Sequence, residues 1–189
     1  MGSFYTNVTL RTTDRDSVRQ QLTAAGRRAY ISPPMAGAVV VFDQACEEQD
    51  PTEVDALTSL LSQRCACPAL AVVIHDDDIF WYGLYEKGAL VDEYTSAPDY
   101  FEGGGASPAG GDATRVCAAF ARPGVEAELH GILHRAKDVA DAYTFETERH
   151  AAFVQVLGLP SAAVGTGYNY LEAGELPDDL TLEELVRVG

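Results

Sequence analysis

The 189-residue sequence has almost no lysine: Lys87 and Lys137 are the only two. Arginine supplies the other basic side chains, and 13 Lys and Arg face 29 Asp and Glu, a formal net charge of −16. A field of that sign repels phosphate backbones and anionic lipid surfaces. Nucleic acid and membrane therefore drop out of the expected partners. What the field attracts is a basic protein or a cation, although excess acid also simply keeps a chain soluble.

Long apolar runs are missing too. No stretch approaches the roughly 20 residues of a membrane span, and residues 1–10 lack the basic stretch and apolar core of a secretion signal. Cysteine is scarce: Cys46, Cys65, Cys67 and Cys117. Without a secretion signal these read as reduced thiols in a cytoplasmic protein. A chain of this length buries about 70% of its unfolded surface, so its core needs no disulfide or structural metal.

The standard catalytic patterns are also absent. No G-x-G-x-x-G follows a strand, no P-loop lysine is present, and no serine sits in a G-x-S-x-G elbow. Cys65-Ala66-Cys67 is C-x-C rather than the C-x-x-C of redox helices and zinc ribbons, and reads as core or near-surface thiols.

What is present is a clear succession of strands and helices. Residues 4–10 alternate in the manner of a strand, and Thr13 or Asp14 then caps a helix carrying Val18 and Leu22, closed by Gly26. Short strands follow at 28–32 and 38–43, the first ended by Pro33-Pro34. Asp50, Pro51 and Glu53 form a helix start with a capping box, ahead of Val54, Leu57, Leu60 and Leu61. Residues 70–74 are a further apolar strand. The order βαββαβ is the split-βαβ, ferredoxin-like order. Residues 79–85 and 90–94, joined by a turn at Lys87-Gly88, extend it as a β-meander.

The expected fold is therefore α+β. Residues 1–95 form a mixed-sheet core of about six strands, with the Val18 and Leu57 helices on one face. Residues 96–112, with two glycine clusters and two prolines, form a linker. Residues 113–189 form a helical segment with helices at 113–121, 125–135 and 145–157, the last capped by Thr144. Residues 165–174 are too glycine-rich for a helix, and Thr181 with Glu184 caps a last helix over 182–186. Residues 79–85 carry bulky side chains on both faces, so the helical segment is expected to pack on the second face of the sheet.

Three constellations bear on chemistry. His75 with Asp76, Asp77 and Asp78 lies between two strands; hard cations take several oxygens at one point, but Asp-Asp is also ordinary turn chemistry. Glu126, His130 and His134, with Asp138 beyond, recur at one-turn spacing on one helix face, a spacing that binds zinc or else forms a solvated stripe. Trp81, Tyr82, Tyr85 and Tyr94, followed by Tyr100 and Phe101, are candidates for a ligand groove between the two halves. Glu146 and His150, four apart, read as a surface pair.

The leading functional expectation is a non-enzymatic binding or regulatory protein with an acidic surface, of inhibitor or immunity type towards a basic protein, or holding a small ligand. The alternative is a metal-dependent hydrolase using His75, Asp76 and Asp78, or Glu126, His130 and His134, with a divalent ion. The sequence requires no cofactor, and it leaves open whether the protein is an enzyme.

Overall fold

The structure is a computed structural model in which residues 2–102, 107–135 and 143–189 are described. It is an α+β fold built on one open eight-stranded sheet. The strands are β1 (Tyr5–Leu10), β2 (Ala29–Ile31), β3 (Val39–Asp43), β4 (Ala69–His75), β5 (Ile79–Glu86), β6 (Ala89–Thr95), β7 (Ala109–Gly110) and β8 (Val186–Val188). Their spatial order is β7-β6-β5-β4-β1-β3-β2-β8. Every neighbouring pair is antiparallel, so the sheet is not mixed as expected. The reason is that β3 inserts between β1 and β2, and β1 between β3 and β4, so no helix-connected pair is adjacent.

The helices on the first face are α1 (Arg15–Ala24) and α2 (Pro51–Arg64). Asp14 caps α1 by accepting from the Ser17 N–H at 2.9 Å, and Asp50 caps α2 by accepting from Thr52 at 2.8 Å. Glu53 does not complete the expected capping box, because Arg27 takes it at 2.7 Å while also binding Asp43. Both helices lay their stripes on one face: Val18, Leu22, Val54, Leu57 and Leu61 share a cluster with Val8, Leu10, Val39, Val41, Ala69 and Ala71.

The alternate residues of the same strands face the other way. Val40, Phe42, Leu70, Val72, Phe80, Tyr82, Leu84 and Tyr94 are buried against α3 (Ala113–Ala119), α4 (Glu126–Leu133), α5 (Glu146–Leu157) and α6 (Tyr168–Glu172). Each large side chain so covered contributes about 1.5–3 kcal/mol relative to exposure. Arg149 of α5, fully buried, locks this layer. Its guanidinium donates to Glu146 at 2.8 Å and to the closing carbonyls of α4, Ile132 at 2.7 Å and Leu133 at 3.0 Å.

Several local expectations fail. Residues 182–185 are a turn, not a helix, and the chain then enters β8 against the free edge of β2. The Thr181–Glu184 bond does form, at 2.9 Å from the Thr181 N–H, but it closes one turn only. Conversely, α6 is a helix where the glycines seemed to forbid one; Gly167 and Gly174 flank it rather than interrupt it. Residues 96–112 are more than a linker, since they hold a helical turn at Tyr100–Glu102 and the strand β7. The glycine run at 103–105 lies outside the described residues. Phe145, not Thr144, is the N-cap of α5.

Candidate functional site

The chemistry-bearing side chains gather at one end of the sheet, where β1 begins and β4 turns into β5. Asp76 and Asp77 occupy that turn with positive φ, 51° and 61°, a conformation aspartate tolerates better than most residues. The turn is pinned from three sides. Asp77 Oδ2 accepts from the Ser3 N–H at 2.7 Å, its Oδ1 accepts from the Thr147 hydroxyl, and its carbonyl accepts from Glu146 N–H at 2.8 Å. Burial works to raise the Asp77 pKa, but the bonds from Thr147 and Ser3 outweigh it and hold the carboxyl below its ordinary value. The first turn of α5 adds favourable N–H dipoles.

Above this turn lies an aromatic cluster. His75 is half-buried; its Nδ1 lies 2.8 Å from Gln49 Oε1, and its ring meets Phe4 at 5.2 Å, Phe101 at 5.7 Å and Tyr100 at 6.3 Å between centroids. Tyr100 donates its hydroxyl to Asp78 at 3.0 Å. Phe101 is 80% exposed, and Phe145, next to the residue that bonds Asp77, is 52% exposed. Apolar rings left in water beside carboxylates suit contact with another molecule better than folding.

Beneath the turn the polar contacts continue inward. The Tyr5 hydroxyl lies 2.8 Å from Nδ1 of the fully buried His150. His150 is enclosed by Phe80 and Phe153, its Nε2 has no partner among the described residues, and desolvation lowers its pKa to about 3. It is therefore a neutral imidazole. Nearby on β1, Asn7 donates to the carbonyls of Ala163 and Thr166, and its Oδ1 has no partner among the described residues. Glu47 is buried and accepts from the Tyr168 N–H at 2.8 Å; burial pushes its pKa up to about 6 against those backbone bonds. A Cβ on Gly167 would lie 2.4 Å from Glu47 Oε1, so glycine is what lets the start of α6 close over this carboxyl.

The residues singled out in the sequence are thus only partly brought together. His75, Asp76 and Asp78 do meet at one turn, but Asp77 and Asp78 are engaged by Ser3, Thr147 and Tyr100. Glu126, His130 and His134 lie far along the chain on α4 and its cap; the two imidazoles are 4.3 Å apart between centroids. Asp138 lies outside the described residues. Among the described residues, no group of three or more His, Cys, Asp or Glu is arranged to hold a metal ion.

The four groove candidates do not share a face. Tyr82 and Tyr94 stack at 5.4 Å under α5, fully buried. Trp81 and Tyr85 lie on the α2 side, converging over Gly83, whose missing Cβ would be 2.7 Å and 3.0 Å from the two rings. Trp81 donates to Glu93 at 2.8 Å and Tyr85 to Asp55 at 2.9 Å.

Sequence reasoning passed over Phe4, Gln49, Phe145 and Thr147, and read His150 as a surface partner of Glu146. Only Tyr100-Phe101, adjacent rings at the edge of a glycine-rich stretch, carried a readable signal. Among the described residues no helix is long and apolar enough to cross a membrane. No family model, curated protein or solved structure matches this chain.

Proposed function

We propose that this is a non-enzymatic binding or regulatory protein that recognises a basic protein partner through the acidic, aromatic end of its sheet. The observation that carries the reading is Phe101, 80% exposed yet meeting His75 edge to face beside the Asp78–Tyr100 bond. An exposed ring next to carboxylates offers a guanidinium both a face to stack on and an anion to pair with. The chain's charge of −16 adds long-range attraction for such a partner.

The test is a titration with an arginine-rich peptide at low and moderate salt. The native chain should bind, and Phe101→Ala and Asp76→Asn/Asp78→Asn should each weaken binding about tenfold or more. Equal affinity of native and variant chains would defeat the proposal.

Three further points belong to the same reading. Residues 5–75 form a ferredoxin-like unit, supported by the antiparallel order β4-β1-β3-β2 with α1 and α2 on one face. The segments 1–95, 96–112 and 113–189 fold as one cooperative body, supported by the shared core beneath α5. The protein works in a reducing cytoplasm, supported by four free cysteines.

A metal-dependent hydrolase is the second reading, and the 4.3 Å contact between His130 and His134 is what favours it. Zinc should then raise the melting temperature of the native chain and not of His130→Ala. No shift with zinc or manganese would remove it.

A further inference from the structure

Gln49 closes the helical turn Ala45–Glu48 with its backbone in the left-handed region, φ 56°. Glycine, asparagine and aspartate take that conformation with least strain, and glutamine is not among them. Its side chain has a defined task at this position. The amide Nε2 donates to the Ile74 carbonyl at 2.8 Å, and Oε1 lies 2.8 Å from His75 Nδ1. The Ile74 oxygen can only accept, which fixes the NH₂ end of the amide towards it. The oxygen end therefore faces His75, and that contact is a hydrogen bond only when Nδ1 carries the proton.

A neutral imidazole protonated at Nδ1 has a bare lone pair at Nε2. The two ring nitrogens point in diverging directions, so Nε2 faces away from Gln49. It has no hydrogen-bond partner among the described residues, and unlike Nε2 of His150 it is not shut off from solvent. Phe4, Phe101 and Tyr100 surround the same imidazole. The turn that His75 opens, closed by the Asp78 N–H on the His75 carbonyl at 2.9 Å, carries Asp76 and the Asp78 carboxylate that binds Tyr100. One nitrogen of His75 is thus committed to the fold, and the other is left among exposed rings and carboxylates.

We infer, resting on the docking reading above, that Gln49 is a positioning residue for that face: it holds His75 in the Nδ1–H form, which makes Nε2 a hydrogen-bond acceptor for an N–H of the partner's cation. Rings and carboxylates alone take any cation, a quaternary ammonium included. An acceptor nitrogen among them selects a cation that carries N–H. Guanidinium does so along a planar edge, which leaves further donors for a carboxylate. The partner's residue is therefore arginine rather than a fully methylated lysine.

Two measurements on the ¹⁵N-labelled full chain at pH 8 test this. Two-bond ¹H–¹⁵N imidazole spectra, assigned to His75 through its backbone resonances, report the tautomer. Nδ1 should carry the proton and Nε2 none. A titration then compares an arginine-rich peptide with the same peptide carrying trimethyl-lysine at each arginine. The native chain should prefer arginine about tenfold, the order of one charge-assisted hydrogen bond. Gln49→Met keeps the bulk and loses both amide bonds. It should show protonated Nε2 and bind the arginine peptide about threefold more weakly, with trimethyl-lysine binding unchanged. Gln49→Glu, whose carboxylate still accepts from Nδ1–H, should restore the tautomer and the preference. A protonated Nε2 in the native chain, equal affinity for the two peptides, or an unchanged preference in Gln49→Met overturns the inference alone. No binding of the arginine peptide by the native chain defeats the docking reading and this inference together. The tautomer and the native preference need no variant to fold.

Discussion

Helix α5 has two ends in opposite electrostatic settings. Its N-terminus meets Asp77, whose carboxylate binds Thr147 and whose carbonyl binds the Glu146 N–H. Its C-terminus meets Arg122, whose guanidinium takes the Val156 carbonyl. Each charge complements the helix dipole at its end. The dipole therefore favours Asp77 at one end of the helix and Arg122 at the other. It does not account for Phe101 and Phe145, the two exposed rings at the acidic end. Those rings are what the proposed recognition of a basic partner rests on.

The largest effect is expected at Arg149, near the start of α5, which ties that helix to α4. Arg149→Met removes the buried partner of Glu146 and the donor to three carbonyls, and should cost about 3–5 kcal/mol in denaturant unfolding. A cost below about 1 kcal/mol would show that the α4–α5 layer rests on its apolar contacts alone.

Acid probes the acidic end next. His150 has a folded pKa of about 3, below its ordinary 6.5. The stability gained by keeping it neutral is full above pH 6.5 and is lost as pH falls, about 2 kcal/mol between pH 7 and pH 5. Glu47 acts in the opposite sense. Its folded pKa is raised to about 6, so it binds its proton before the unfolded chain does and returns about 1 kcal/mol over that interval. His150→Phe should therefore flatten or reverse the native loss between pH 7 and pH 5, measured as unfolding free energy at each pH. An unchanged slope would mean that the buried imidazole is not the group responding.

The smallest of these effects is local to the turn. Asp77→Ala forfeits the charged hydrogen bonds from Ser3 and Thr147 and places alanine at φ 61°, for about 2 kcal/mol at pH 7. Asp77→Asn, which tolerates that φ, should recover about half. Because the Asp77 pKa is depressed on folding, the contribution is present above its ordinary value of 3.8 and fades below it. The gap between the native and Asp77→Ala stabilities should then narrow below pH 3.8, leaving the part due to alanine at φ 61°.

What the sequence disclosed follows from the range of the interactions. Strand alternation and the Asp14 and Asp50 caps are local, and they placed β1 to β6, α1 and α2. The split between Trp81 and Tyr82 faces follows from the pleat alone. Local signals misled where a distant partner decided the outcome. Thr181 and Glu184 make their bond, but β2 offers an open edge and Val186 to Val188 take it. Residues 168–172 become a helix because Glu47, 121 positions earlier, meets the Tyr168 N–H. His150 sits four residues after Glu146, yet Arg149 claims that glutamate and Tyr5 claims the imidazole, 145 positions away. The acidic end of the site was half legible for the same reason. His75 to Asp78 are contiguous, whereas Phe4, Tyr100, Phe101 and Phe145 reach them only through the fold.

The proposed docking face for a basic partner is the acidic, aromatic end of the sheet. The most direct measurement is an amide chemical-shift map of the ¹⁵N-labelled full chain against an arginine-rich peptide, repeated with a lysine peptide of equal length and charge. Shifts are expected to centre on residues 75–78, 99–102 and 145–147 and to be stronger for arginine, because the exposed rings stack a planar guanidinium. Shifts scattered over all acidic faces, or identical for the two peptides, would contradict this expectation and leave the charge of −16 as a property of solubility alone.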